Sequence, residues 1–214
     1  MEANRTERGA ARRRALIEAA SEMFLDQGYE SVSLDTLIAR VGGSRRNIYG
    51  PFGGKEGLFI EVVTQLCADL SRPLEELDID AEHDVSSALT LFGCRVLSIV
   101  LQPRTLALQR LMIGEGLRFP ELAQAIWHAG HDNAVRRLSV WIGRKQVADQ
   151  LRGDISPSDL AAQFVNLLVT GPQLRALVGI ASKPLDDLEI TRLTKIAVKA
   201  FLEGALVKDT KRNA

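Results

Sequence analysis

Cysteine is scarce: Cys67 and Cys94 are the only two in 214 residues, too few and too far apart for a disulfide framework or a zinc module. Both sit in apolar helical patterns and read as reduced core thiols. Strand signals are also thin, with aromatics at 5% and no run that alternates apolar and polar residues. Net charge is absent, because 27 Lys and Arg balance 27 Asp and Glu. Affinity for nucleic acid therefore has to come from local concentration of charge. No stretch approaches the roughly eighteen apolar residues of a membrane span. The arginine-rich N-terminus runs into a segment holding Glu18, Glu22 and Asp26, where a signal peptide has an apolar centre. These absences predict a soluble, cytoplasmic protein without a membrane partner.

Catalytic signatures are missing too. No GxSxG or HExxH run occurs. The segment GPFGGKE fails as a phosphate loop, because Tyr49 stands where the first glycine belongs, Glu56 replaces Ser/Thr and no strand precedes it. Asp78, Asp80 and Glu82 resemble part of a calcium loop, but His83 takes the place of its glycine and Leu89 that of its closing glutamate. His128 and His131 lie one turn apart, and without a nearby acidic third ligand the pair reads as structural. The expectation is no enzyme, no metal and no cofactor.

What is present is helical periodicity. Leu16, Ala20, Met23 and Phe24 define a helix over residues 10–27 that stops at Gly28. Ser33 is placed to cap a second helix with Leu34, Leu37, Ile38 and Val41 inward, ended by Gly42 and Gly43. Ser44 caps a short third helix that Gly50 and Pro51 should end. A fourth runs over residues 55–70. An acidic stretch, residues 71–84, reads as a linker. Longer helices come next over 85–101, 103–117, 120–151, 157–179 and 186–207, with Pro172 expected to kink or split the fourth of these. The fold class is all-α, about nine helices, divided into residues 8–68 and residues 69–214.

Charge concentrates in two places. The first fourteen residues hold five arginines against Glu2 and Glu7, and no acid interrupts residues 40–55, which hold Arg40, Arg45, Arg46 and Lys55. The order helix, glycine turn, short helix over residues 33–59 is a helix-turn-helix, whose second helix presents side chains to base edges in the major groove. Arginine bonds bidentately to guanine and asparagine to adenine. Arg45, Arg46 and Asn47 therefore read bases. Ser33, Ser44, Tyr49, Lys55 and Arg12 hold phosphates or brace the unit.

The run LxxLIARVG, a turn, SRRNIY, then F and KEGLF, with Ala19, Ala20, Phe24, Gly28 and Tyr29 upstream, resembles the TetR family of bacterial transcriptional regulators. The run RLMIGEGLRFPELAQAIWHAG over residues 110–130 is similar to its AefR-like C-terminal subgroup. The resemblance implies an N-terminal three-helix DNA-binding unit and a homodimer. It also implies a C-terminal domain that often binds an effector, commonly in a repressor. Gly43, the Gly50–Pro51 pair and the Gly53–Gly54 pair depart from that pattern.

Two further groups of residues are candidates. Trp127, His131, Ala134, Leu138 and Trp141 share one helix face. His131 and Trp127, with Phe92, Met112 and Phe119, are candidates to border a cavity for a small apolar or amphipathic effector. Phe164, Leu167, Leu168, Leu193 and Phe201, on helices apolar around most of their girth, are candidates for a dimer interface. The leading function is a dimeric repressor on a (pseudo)palindromic double-stranded operator, released by an effector. A ligand-independent nucleoid-associated protein of the same fold, or a helical binding module without DNA recognition, remain as alternatives.

Overall fold

The computed structural model describes residues 2–42, 44–82, 84–180 and 183–205, with side chains from residue 10 to residue 204. Gly43 and His83, the side chains of Arg5 and Arg8, and the predicted helix end at residues 206 and 207 lie outside the described set. Among the described residues all regular structure is helical: ten α-helices, one 3-10 turn and one π-turn.

Helix α1, Glu2–Ser31, breaks at the predicted place: Gly28 has φ 78 and ψ 171, a backbone region essentially closed to other residues. Helix α2, Leu34–Val41, begins as expected. The Ser33 hydroxyl accepts the Thr36 N–H at 3.0 Å, and Gly42 (φ 73) returns its N–H to the Ile38 carbonyl at 2.8 Å.

Prolines end fewer helices than expected. Helix α3, Arg46–Phe52, runs through Gly50 and Pro51 and stops at Gly53, which is left-handed at φ 75. Proline disfavours helix for the residue before it largely through that residue's Cβ, and glycine has none. The same pairing, Gly171–Pro172, lets helix α9, Pro157–Leu177, continue unsplit. Helix α4, Lys55–Glu75, likewise passes Pro73 and takes in part of the expected linker. Leu74 is buried, and Arg137 Nη2 caps the open end by donating to the carbonyls of Glu75 and Leu77 at 3.0 and 3.4 Å.

Helix α5 is Val85–Val100 and α6 is Pro103–Glu115. The single helix expected over 120–151 is instead α7, Pro120–Trp127, a π-turn, His128–Asp132, and α8, Asn133–Val147. A π-turn inserts a residue and so rotates the downstream helix by about 100°. Ala134, Leu138 and Trp141 keep their shared buried face, whereas Trp127 is 48% exposed. Helix α10, Asp187–Ala205, closes the described chain.

The chain forms two compact units, one of Met1–Asp69 with Ala107–Trp127, the other of Leu70–Leu106 with His128–Ala214. The division read from the sequence is contiguous; the structural one is not. Aromatic packing is the reason: Tyr29 of α1, Phe59 of α4 and Phe119 before α7 lie 4.8–5.2 Å apart by ring centroid, with Phe24 5.0 Å from Phe59. In the other unit Phe92, Leu138, Trp141 and Phe164 form the core. Gly93 is obligatory there in a steric sense, since a Cβ would meet Thr194 Cγ2 at 2.6 Å.

Candidate nucleic-acid interface

Helix α3 carries one residue that points wholly inward, Ile48, fully buried, which pins the helix to the core. Around it Ser44, Arg45, Arg46 and Tyr49 are exposed and Asn47 is half-buried. The helix start is made by backbone alone: the Ser44 carbonyl accepts the Asn47 N–H at 2.9 Å, and no side chain caps Arg46. At its end Gly53 and Gly54 have φ 75 and 129, conformations that glycine adopts without strain.

A cleft of about 400 Å³ lies between α1 and α3, with Arg12, Arg13, Arg46 and Asn47 on its rim and Leu16, Ile38 and Phe52 in its floor. It joins the arginine arm to the recognition helix. Arg13 is held there by Glu61 at 2.6 Å and lies over the Phe52 ring at 5.2 Å. The site is therefore a basic rim on an apolar wall, suited to a phosphate backbone.

The acid-free run of residues 40–55 is not acid-free in space. Arg40 pairs with Glu22. Arg45 donates from Nε and Nη2 to the two carboxylate oxygens of Asp35 at 3.0 and 2.7 Å, which holds the Asp35 carboxyl below its ordinary range. The sequence reading does not single out Asp35 and misses this contact; the available signal is an acid and an arginine ten residues apart on the two arms of the motif.

Lys55 has a double attachment: its ammonium donates to the Glu30 carbonyl at 3.1 Å and sits 4.4 Å from the Tyr29 ring centre. Partial burial lowers its pKa. Arg118 covers the same ring at 4.9 Å and pairs with Glu30. Ser33 spends its hydroxyl on Thr36 at both the N–H and Oγ1.

The candidate effector residues divide between the two units, Met112, Phe119 and Trp127 in one and Phe92 and His131 in the other. Met112 and Phe119 border a gap of about 10 Å³, too small for a ligand. Phe92 instead lines an open cleft of about 440 Å³ in the other unit, with Val140, Arg136, Arg137, Arg144 and Asp80. His131 lies 3.3 Å from Asn166 Oδ1 through Nε2 and 3.3 Å from Asp132 through Nδ1; His128 Nδ1 reaches Asp132 at 2.5 Å. The histidine pair thus has an acidic neighbour, contrary to the reading of the sequence. Among the described residues no group of three or more His, Cys, Asp or Glu is arranged to hold a metal ion.

The candidate interface residues divide by burial. Phe164, Leu168 and Phe201 lie in the core of their own unit, with the Phe164 and Phe201 rings 5.1 Å apart, and Leu193 packs against that core. Leu167 is exposed. With it, Leu174 on α9, Val178 at the C-cap of α9, and Leu188 and Ile196 on α10 present large apolar side chains to solvent.

An all-helical chain with a capped helix-turn-helix, a buried anchor on its second helix and an arginine rim is a DNA-binding regulator. Residues 16–62 match the tetR family of bacterial regulatory proteins, and residues 87–204 match the C-terminal domain of AefR-like transcriptional repressors. The protein belongs to the TetR family, with an AefR-like C-terminal domain. It is 25% identical over 199 residues to the transcriptional regulator UidR of Escherichia coli, covering 90% of this chain and 88% of that one. Similarity to SrpR of Pseudomonas putida is 29% over 105 residues and spans 47% of that protein. A TetR-family regulator from Mesorhizobium loti superposes with a TM-score of 0.81 at 24% identity, over 94% and 99% of the two chains. The flavonoid-responsive regulator FrrA does so with 0.75 at 27%, over 93% and 99%. Among the described residues no single helix is long and apolar enough to cross a membrane.

Proposed function

We propose that the protein represses transcription by binding a (pseudo)palindromic operator as a homodimer, and that a small amphipathic effector releases it. The observation that carries this reading is the apolar stripe along α9 and its C-cap. Leu167, Leu174 and Val178 recur at i, i+7 and i+11, each more than half exposed, a pattern that seeks a second helix. A two-fold pair presents two α3 helices to half-sites roughly 34–36 Å apart.

Release rests on two supports. FrrA, to which the chain is similar, is named for its response to flavonoids. The cleft beside Phe92 and Val140 is lined by Arg136, Arg137 and Arg144 and also by Glu75, Glu76, Asp78 and Asp80, so it sets donors and acceptors around a small apolar patch, as an amphipathic ligand with polar groups requires. Such a ligand acts only by binding the DNA-competent and incompetent arrangements unequally.

The test is random-site selection with the purified protein, followed by sedimentation of the complex and titration with a panel of flavonoids and simple phenols. A palindromic site bound by two chains and released by one of these compounds is the expected result. An enriched single half-site bound by one chain rejects the dimer, and the absence of any enriched site rejects the operator.

A further inference from the structure

The pair between α2 and α3 has a geometry that decides what Arg45 can do. A guanidinium has five N–H groups in a fixed fork. Asp35 takes one from Nε and one from Nη2, along one side of the fork. Of the three N–H that remain, one on Nη1 and one on Nη2 form the end-on edge that matches guanine O6 and N7. Asp35 and Arg45 are both largely exposed, at 69% and 66% of their side-chain surface, so this edge is open. Asp35 reaches the arginine from the first turn of α2, where the Ser33 cap fixes the backbone.

We infer that Asp35 is a specificity-determining positioning residue, which holds Arg45 end-on to read one guanine in each half-site. This rests on the reading that α3 enters the major groove. The carboxylate removes rotamer freedom from a long side chain before DNA arrives, so less is lost on docking. Arg46, exposed on the same short helix and on the rim of the arginine cleft, remains for the backbone.

The opposite role for the same pair is sequestration, in which Asp35 occupies Arg45 and has to release it to DNA. The two roles part cleanly on substitution. A positioning role predicts that Asp35→Ala lowers the preference for guanine at one position per half-site by about three- to tenfold. The slope of log affinity against log salt then stays within half a unit. Sequestration predicts unchanged base preference, tighter binding to all sequences and a slope steeper by about 0.9 per arginine freed.

The experiment is random-site selection with wild-type protein, Asp35→Ala, Asp35→Asn and Arg45→Lys, with affinities for the selected site and its single-base variants at three salt concentrations. Thermal melts and helical circular dichroism establish that each variant is folded. Arg45→Lys keeps the charge but not the fork, and is expected to lose the same guanine preference with an unchanged slope. A site enriched by wild-type protein and left unaltered in sequence by Asp35→Ala overturns the inference while leaving the operator reading standing. Wild-type protein that enriches no site overturns both.

Discussion

Glu115 accepts the backbone N–H of Tyr29 at 3.1 Å, so a carboxylate at the end of α6 completes the turn after Gly28. The N–H it satisfies is the first after a residue at φ 78 and ψ 171, where the regular helical backbone is interrupted. Substitution of Glu115 by Ala leaves that N–H part-buried and unpaired, at a cost of about 1–2 kcal/mol. Glu115→Gln keeps an acceptor and is expected to lose less than half as much. Gly28→Ala imposes a strained backbone and lowers stability by about 1–3 kcal/mol. Thermal melts of the four proteins, with hydrogen exchange at Tyr29, check the order.

Lys55 and Arg46 are expected to separate folding from binding. Arg46 is exposed on α3, so Arg46→Ala weakens DNA binding and lowers the salt slope by about 0.9 per protomer with the melting temperature unchanged. Lys55 spends one of its three donors on Glu30 and lies on the Tyr29 ring. Lys55→Ala therefore weakens binding uniformly and also removes a cation–π contact of about 0.5–1 kcal/mol. A Lys55→Ala protein with wild-type stability and wild-type salt slope contradicts both roles.

The two faces of α9 give opposite phenotypes. Leu174→Lys alters an exposed position and is expected to yield monomers in sedimentation velocity while helicity is retained. Phe164→Ala opens the core beside Phe201 and costs about 3–5 kcal/mol without a charge being introduced. If Leu174→Lys sediments as wild type, the dimer does not use this stripe.

Burial pushes the Cys67 thiol up to about 11. The neutral thiol is thus favoured in the folded protein, and this contribution is complete below the ordinary value near 9. It is lost as pH rises from there through about 11. The expected outcome is that Cys67 resists disulfide reagents at about pH 8 until the protein is denatured, and that stability begins to fall above about pH 9. Labelling of Cys67 in the native protein at about pH 8, followed by peptide mapping, contradicts this.

Local signals are legible in the sequence and spatial ones are not. The Ser33 cap and the Gly28 and Gly42 breaks each arise from a residue type at a fixed spacing, and each is found in place. Pro51 and Pro172 mislead in part because glycine precedes both, which removes the Cβ clash that disfavours helix before a proline; Pro73, after Arg72, is passed by α4 without that relief. The π-turn at residues 128–132 leaves no trace in the pattern of apolar residues, so periodicity puts Trp127 on a face it does not share. Phe164, Leu168 and Phe201 are buried within their own unit, which periodicity does not reveal: it shows that a side chain is apolar, not whether its own fold or a partner covers it. Asp35–Arg45 and Tyr29–Glu115 join positions that only the tertiary fold brings together.

The aromatic packing of Tyr29, Phe59 and Phe119 bears on how regulators of this kind are recombined. A chimaera that transplants residues 1–69 onto the body of a relative takes two of those rings and leaves the third behind. The graft then meets a foreign segment where Phe119, Glu115 and Arg118 belong, and its operator-reading half is weakened although every DNA-facing residue is intact. Moving residues 107–127 together with the first 69 carries the whole cluster, and that discontinuous exchange defines the transferable part.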